Sequence, residues 1–377
     1  MSKKPKYEII YEFYKEQILA KIIASEEKLP TEMEIAKKFK VSRITVIRAL
    51  NDLEQDGFIK KIQGSGSYAK NYGESLVTAS SSPDIISLVL PYDENFKQNF
   101  LKGIEDVAKT QNYFVTFHQT TANLDSEKKV ILDLIKRGSK GIILYPSDSP
   151  INMELYSSLL IQKFPLVLID RKISGLDFPI IWTDNHSGYY EITNHLLELG
   201  HSKIIFVGTS VYSISSELER YEGFCKAHID HKVPLLDKHL YFQEDIANIP
   251  SDYKPDLDIE HRAINYLFDL LLDIPQSKRP TAIAAVNDSI AELVIKIGLE
   301  RGISIPRDFS VIGFDDRVFA AHLPIPLTTV SQPTYEIGHQ AALILFNLIK
   351  NPDSKMCEKK IKGRLLIRKS SNHLNRN

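Results

Sequence analysis

The 377-residue sequence carries 47 Lys and Arg against 48 Asp and Glu, with 43% apolar and 25% charged residues, the balance of a globular protein too long for one compact core. Two cysteines far apart, no apolar run of about 18 residues and no leader-type start exclude a disulfide framework and a membrane span, and set a cytoplasmic location as the expectation. The neutral total hides an asymmetry: residues 1–72 hold 14 Lys and Arg against 10 Asp and Glu, and the remainder 33 against 38, as expected for a phosphate-binding head on a body that does not bind DNA.

Residues 7–25 read as an amphipathic helix with Ile9, Ile10, Phe13, Ile18, Leu19 and Ile22 on its apolar face. Thr31 followed three residues later by Glu34 forms a capping box, so a second helix starts there, with Ile35, Ala36 and Phe39 on one side. After the break at Lys40-Val41, Ser42 is placed to cap a third helix, in which Val46, Ala49, Leu50 and Leu53 recur at the spacing of a buried stripe. The outward positions are then Ile44, Thr45, Arg48, Asn51 and Asp52, with Ser42 and Arg43 at the exposed start, and such arginines, hydroxyls and amides suit phosphates and base edges. Gly57 ends this helix, and Phe58 to Ile62 followed by Gln63-Gly64-Ser65-Gly66-Ser67-Tyr68 reads as a hairpin with a glycine-rich tip, a wing beside the third helix.

Leu29-Pro30-Thr31-Glu32, Val41-Ser42-Arg43, Thr45-Val46, Ala49-Leu50, Leu53, Gly57 and Gln63-Gly64-Ser65-Gly66 resemble the winged helix-turn-helix of the GntR (gluconate-repressor) family. Motif and helical angle together nominate Thr31, Glu32, Ser42, Arg43, Ile44, Thr45, Arg48, Gln63, Gly64, Ser65 and Gly66 as DNA contacts. The sequence departs from the family at Met33 and Ile47, where arginines associated with DNA contact are usual, so the operator sequence does not carry over. Arg48, one step round the helix, is placed to replace the second arginine; Ile44 either packs on thymine methyl groups or is an ordinary exposed apolar residue.

Residues 71–84, ending in a serine run and proline, read as a linker between a head at 1–70 and a body at 85–377. From Ile85 the runs IISLVLPY, FVTFHQT, GIILYP and PLVLIDR alternate with helical stretches at 94–111, 124–137 and 152–163. A second series follows, with helices around 187–199, 215–230, 259–272 and 289–301 alternating with KIIFVGT, HLYFQ, AIAAVND and SVIGFDD, while 245–258 reads as a loop. Two α/β lobes with parallel sheets are expected, with a ligand cleft between them.

Asp170-Arg171, Leu199-Gly200-His201, Arg220-Tyr221-Glu222-Gly223-Phe224, Val286-Asn287-Asp288, Ile312-Gly313-Phe314-Asp315-Asp316, Leu327-Thr328-Thr329-Val330 and Leu366-Ile367-Arg368-Lys369-Ser370 resemble the sugar-binding domain of LacI/GalR repressors, a two-lobed periplasmic-binding-protein-like fold, over about residues 85–370. The resemblance implies effector contacts at Arg220, Asn287 and Asp315 and, on looser matches, at Asp170 and Ser216; Tyr92, Phe96 and Gln332 are further candidates, the two aromatics able to stack on a sugar face. An arginine fork, carboxylates and an amide suit the vicinal hydroxyls of a polyol. Taken singly, Asp315-Asp316 also fits a loop and helix cap, Asn287-Asp288 a helix N-cap and Arg220 a surface residue.

His201 reads as structural, and Cys225, His228 and His231 lack a second pair at metal spacing, so no metal or other cofactor is expected. Nucleotide-loop, serine-elbow and zinc-protease motifs are absent, which weakens the alternative of a sugar-acting cytoplasmic enzyme with an accessory DNA-binding head. The whole arrangement resembles the arabinose-repressor branch of such two-part regulators. That implies a repressor of carbohydrate utilisation genes, controlled by a monosaccharide such as L-arabinose or L-fucose, acting as a homodimer on a near-palindromic double-stranded operator and away from the membrane.

Overall fold

The computed structural model describes residues 5–62, 64–70, 84–91, 98–121, 124–147, 152–209, 214–236, 240–241, 249–250, 252–254, 256–354 and 356–374. The chain divides into two compact units, Met1–Pro83 and Asp84–Asn377.

The first unit is a winged helix-turn-helix: α1 (Lys6–Leu19), α2 (Glu32–Phe39), α3 (Arg43–Gln55) and a hairpin of β1 (Ile59–Ile62) and β2 (Gly66–Ala69). Thr31 and Glu34 close the capping box in both directions, and the Ser42 hydroxyl accepts from the Thr45 amide at the start of α3. Between them Lys40 takes a left-handed conformation, φ 52°, which turns the chain sharply enough for α2 and α3 to share one core. The hairpin runs antiparallel from Ile59 opposite Ala69 to Ile62 opposite Gly66, and Leu29 donates to the Ser67 carbonyl at 2.8 Å, adding the segment before α2 to the wing.

The first helix differs from its expected form. It stops at Leu19, and Lys21 is left-handed at φ 55°, which a continuing helix cannot accommodate. Its buried stripe is Ile10, Tyr14 and Ile18, at strict four-residue spacing, while Ile9, Leu19 and Ile22 are exposed. Tyr14 displaced Ile9 because its ring reaches Phe13 and Phe39 in edge and tilted packing.

The second unit has two α/β lobes. The first is a six-stranded parallel sheet built from β3 (Ile85–Pro91), β4 (Phe114–Thr120), β5 (Ile142–Leu144), β6 (Leu166–Ile169), β7 (Ile180–Thr183) and, from near the C-terminus, β13 (Glu358–Ile361). In space the order is β13-β7-β6-β5-β3-β4. Its helices are α4 (Gln98–Thr110), α5 (Leu124–Lys136), α6 (Met153–Ile161) and α11 (Thr334–Lys350). The strands are apolar on both faces because both are covered: Ile86, Leu88 and Leu90 meet Phe100, Ile104 and Leu345, while Val89, Ile142 and Leu144 meet Ile131 and Tyr156.

The second lobe is a four-stranded parallel sheet, in the order β11-β10-β8-β9, from β8 (Ile204–Gly208), β9 (Leu240–Tyr241), β10 (Ala282–Ala285) and β11 (Ser310–Ile312). It is flanked by α7 (Asn185–Glu198), α8 (Ser215–Asp230), α9 (Ile259–Asp273) and α10 (Asp288–Glu300). A short antiparallel pair, β12 (Thr329–Ser331) with β14 (Arg364–Leu366), completes it.

Between the lobes the chain crosses three times, at 183–185, 331–334 and 362–363. The crossings lie against one another: Asp184 donates its amide to the Ile361 carbonyl at 2.9 Å, and a Cβ on Gly363 would come within 2.7 Å of Val330 Cγ1. Residues 249–250, 252–254 and 256–258, in the segment expected to be a loop, contain neither helix nor strand.

Candidate functional site

The lobes meet at a buried polar network placed where the strands end. Arg220, one turn into α8 and 5% exposed, donates from Nε to Asn185 Oδ1 at 2.9 Å, from Nη1 to the Val286 carbonyl at 2.9 Å and from Nη2 to Asp315 Oδ1 at 3.2 Å. The Phe314 ring lies 4.1 Å from its guanidinium carbon, so the cation is held by a π-face as well as by three acceptors. Asp315 Oδ1 also accepts from Gln332 Nε2 at 2.7 Å, and Gln332 Oε1 accepts from the Thr183 hydroxyl at 2.6 Å. One continuous chain of bonds thus joins the first crossing to the second through the Arg220–Asp315 pair.

Asp315 and Asp170 each follow a strand, β11 and β6, and each is left-handed, at φ 120° and 67°. Such backbone disfavours a residue with a Cβ and is typical of positions held for function. Burial pushes the Asp315 carboxyl upward, against the pull of Arg220 and Arg317. Burial, then the charge of Asp315, pushes the neighbouring Asp288 carboxyl up to about 8, although it accepts from the Thr329 hydroxyl at 2.6 Å and the Arg317 amide at 2.8 Å.

Asp170 is 3% exposed and its Oδ1 has no hydrogen-bond partner among the described residues. With Ser216 and Trp182 it lines a cavity of about 20 Å³, room for roughly one water. Asn287 lies at the end of β10, where its Oδ1 accepts from the Ile290 amide at 3.0 Å; the helix-cap alternative describes its oxygen correctly. Arg220, Asp315, Gln332, Asp170 and Ser216 are therefore brought together at the junction of the lobes, with Asn287 one strand away. Tyr92 and Phe96 lie outside the described residues. Asp288 and Phe314, which stood in the motifs without a contact role, also belong to the network, and so do Thr183 and Asn185, which nothing singled out beforehand; the position of Asn185 and Thr183 at the first crossing is their signal, visible once β7 is recognised.

On the head, an open groove of about 590 Å³ runs between the starts of α2 and α3 and the wing, lined among others by Thr31, Glu32, Arg43, Lys61, Ser65 and Gly66. Arg43 reaches Glu32 at 2.7 Å with most of its side chain exposed. Gly64 and Gly66 are left-handed, at φ 78° and 126°, and a Cβ on Gly66 would meet Lys28 Cε at 2.9 Å, so the tight wing tip requires glycine there. Ile44 is 80% exposed at the start of α3, and Thr45 bonds Ser42. Arg48 does not line the groove: its guanidinium carbon lies 3.9 Å from the centre of the Tyr7 ring on α1. Gln63 lies outside the described residues.

His201 fastens the body's C-terminal segment, its Nε2 donating to the Asn372 carbonyl at 3.0 Å and its Nδ1 pairing with the Thr281 hydroxyl at 2.9 Å. His228 bonds the Phe224 carbonyl within α8, and among the described residues no group of three or more His, Cys, Asp or Glu is placed to hold a metal. No helix among them is long and apolar enough to cross a membrane.

Residues 6–68 match the bacterial regulatory proteins of the gntR family, and residues 193–371 match the periplasmic binding protein-like domain. An arabinose metabolism transcriptional repressor of Geobacillus stearothermophilus is 30% identical over 345 residues, 89% of this chain and 90% of that protein. Another from Halalkalibacterium halodurans is 29% identical over 352 residues, 92% of this chain and 89% of its own length. A solved LacI family transcriptional regulator from Enterococcus faecium, crystallised with bound ribose, is 28% identical and aligns with a TM-score of 0.60 over 78% of this chain and 100% of that one. With these relatives the enzyme alternative falls away, and the chain belongs to the gntR family of bacterial transcriptional regulators, as a member that joins the DNA-binding head to a periplasmic-binding-protein-like domain.

Proposed function

We propose that the protein represses carbohydrate utilisation genes and that a free monosaccharide, of the class of L-arabinose or L-fucose, controls it by binding between the lobes of the body. The observation that carries this reading is the Arg220–Asp315–Gln332 network strung between two interlobe crossings. A ligand with vicinal hydroxyls can accept from the arginine fork and donate to Asp315 and to the unsatisfied Asp170 Oδ1, coupling ligand contact to the angle between lobes. Asn287, Ser216, Tyr92 and Phe96 complete the proposed contact set. The names of the arabinose repressors and the ribose in the Enterococcus regulator support a pentose-sized sugar.

In this reading the head contacts double-stranded DNA in the cytoplasm through Thr31, Glu32, Ser42, Arg43, Ile44, Thr45, Arg48 and the wing residues Gln63 to Gly66, with phosphate contacts positioning α3 for base contacts. Two copies form a dimer on a near-palindromic operator, and lobe closure changes the spacing of the two heads. Thermal unfolding of the full chain against L-arabinose, L-fucose, D-xylose, D-ribose, D-galactose and their phosphates tests the sugar. A ligand at about 100 times its Kd adds roughly 2.7 kcal/mol to the body. A selective shift that Arg220→Ala abolishes is the expected result, and no shift with any of them overturns the sugar reading.

A further inference from the structure

We propose that Glu219 of α8 is a latch that holds the two lobes together beside the cleft and thereby sets effector affinity; it rests on the reading that the effector binds between the lobes. Trp182, the sole tryptophan, stands in β7 of the first lobe one residue before the strand's end and is 4% exposed. Its Nε1 donates across the junction to both carboxylate oxygens of Glu219, at 3.3 Å each. Lys360 of β13, also in the first lobe, pairs with the same carboxylate at 3.0 Å.

The indole is itself fixed before it reaches across. The Lys172 and Lys360 ammonium groups lie 4.8 and 5.4 Å from the ring centre, and Lys172 is tied to Glu358 at 2.8 Å. Cations near the ring make the indole N–H a better donor and leave Glu219 as the acceptor that answers both it and Lys360. Donors on one lobe thus converge on one carboxylate of the other. The contact borders the small cavity that holds Asp170 and Ser216, so it closes the junction at the side of the proposed ligand contacts.

A hydrogen bond is lost within a few tenths of an ångström of extension, and a slight opening of the lobes therefore breaks the contact. By favouring the closed arrangement, the latch reduces what the effector must supply to close the lobes: apparent affinity scales with the fraction of protein already competent to bind. Glu219 is a positioning residue in this scheme, acting through the lobe angle and not through contact with sugar.

The single tryptophan makes the proposal testable without a ligand. Acrylamide quenching of Trp182 fluorescence is measured in the sugar-free full chain, in Glu219→Gln and in Lys360→Gln. Both variants are expected to raise the quenching constant by about twofold or more, with a red-shifted emission, as the open population grows. Quenching and emission unchanged in both variants, with unfolding temperature and circular dichroism intact, overturn the latch. Lys360 stands on an edge strand with an exposed side chain, so if Glu219→Gln loses its fold the Lys360 variant decides the question. L-Arabinose titration then separates the two proposals. A several-fold weaker Kd in the variants supports the latch, and an unaltered Kd counts against it; no binding to the unmodified protein counts against the sugar reading and leaves the quenching result to judge the latch.

Discussion

Arg220 holds a buried positive charge whose compensation is Asp315, and removing the arginine leaves that carboxylate with only the more distant Arg317, at 3.6 Å, in a poorly hydrated site. Arg220→Ala should therefore destabilise the body by about 3 kcal/mol at neutral pH in urea unfolding. Arg220→Ala combined with Asp315→Asn should lose clearly less than the two single changes added together, because the orphaned carboxylate is gone. Strict additivity would mean that the pair is not coupled. Arg220→Lys should retain charge and most of the stability yet lose at least about tenfold in effector affinity, since an ammonium cannot reproduce the planar fork; calorimetry on the identified sugar reads this.

Asp288 predicts a pH dependence. Its folded carboxyl, pushed up to about 8 by burial and Asp315, binds a proton more tightly than the unfolded chain, whose aspartates titrate near about 3.9. The stability it contributes is complete below about pH 4 and is lost progressively as pH rises toward about 8. Asp288→Asn should flatten the fall in unfolding temperature between about pH 6 and pH 8. A variant with the same slope as the parent would remove Asp288 as the cause.

That Arg220, Asp315 and Asp170 are buried beside the junction of the lobes was legible beforehand, because two of them follow strands and Arg220 stands in the first turns of the helix after β8. The stacking of Arg48 was not: helical angle sets where its Cβ points, but four more bonds lead to the guanidinium, and the Tyr7 ring on α1 offers it a partner.

At the scale of elements, the caps of α2 and α3 and the buried stripe of α3 followed directly from residue spacing, because those signals are local. What escaped were elements whose reason is distant. β7 is four residues, IIWT, and is recognisable only beside β6 and β13. α11 covers the first lobe although it follows the second in sequence, and its fit depends on glycines. A Cβ on Gly103 of α4 would lie 2.2 Å from the Tyr335 carbonyl oxygen, and one on Gly338 of α11 would lie 2.3 Å from that of Phe100. The two helices approach backbone to backbone, which a sequence pattern of apolar residues does not reveal. Gly103→Ala should cost about 1–3 kcal/mol by forcing them apart, even though alanine favours helix more than glycine does. A more stable variant in denaturant titration would contradict this packing. The head offers a different case: Gly66→Val should weaken operator binding in a gel shift by straining the wing tip, whose φ of 126° at this position disfavours a residue with a Cβ, with little change in the stability of the body.

For the whole molecule, the proposed dimer mechanism makes the distance between two heads the controlled quantity. Spin labels on α2 of each copy should show a distance distribution that changes when the effector is added; an unchanged distribution alongside lost operator affinity would sink coupling through head spacing. The latch and the crossing network act earlier in that chain, on the lobe angle of each copy.

The threefold crossing also orders events during synthesis. The sheet of the first lobe lacks β13 and the cover of α11 until residues beyond 330 exist, whereas the strands and helices of the head, among the described residues, are present by Ala69. A nascent chain can therefore fold its DNA-binding head while the body is still an incomplete, sugar-blind intermediate on the ribosome. Under the proposed function, each newly made molecule passes through a window in which its DNA-binding head is complete and its sensing body is not.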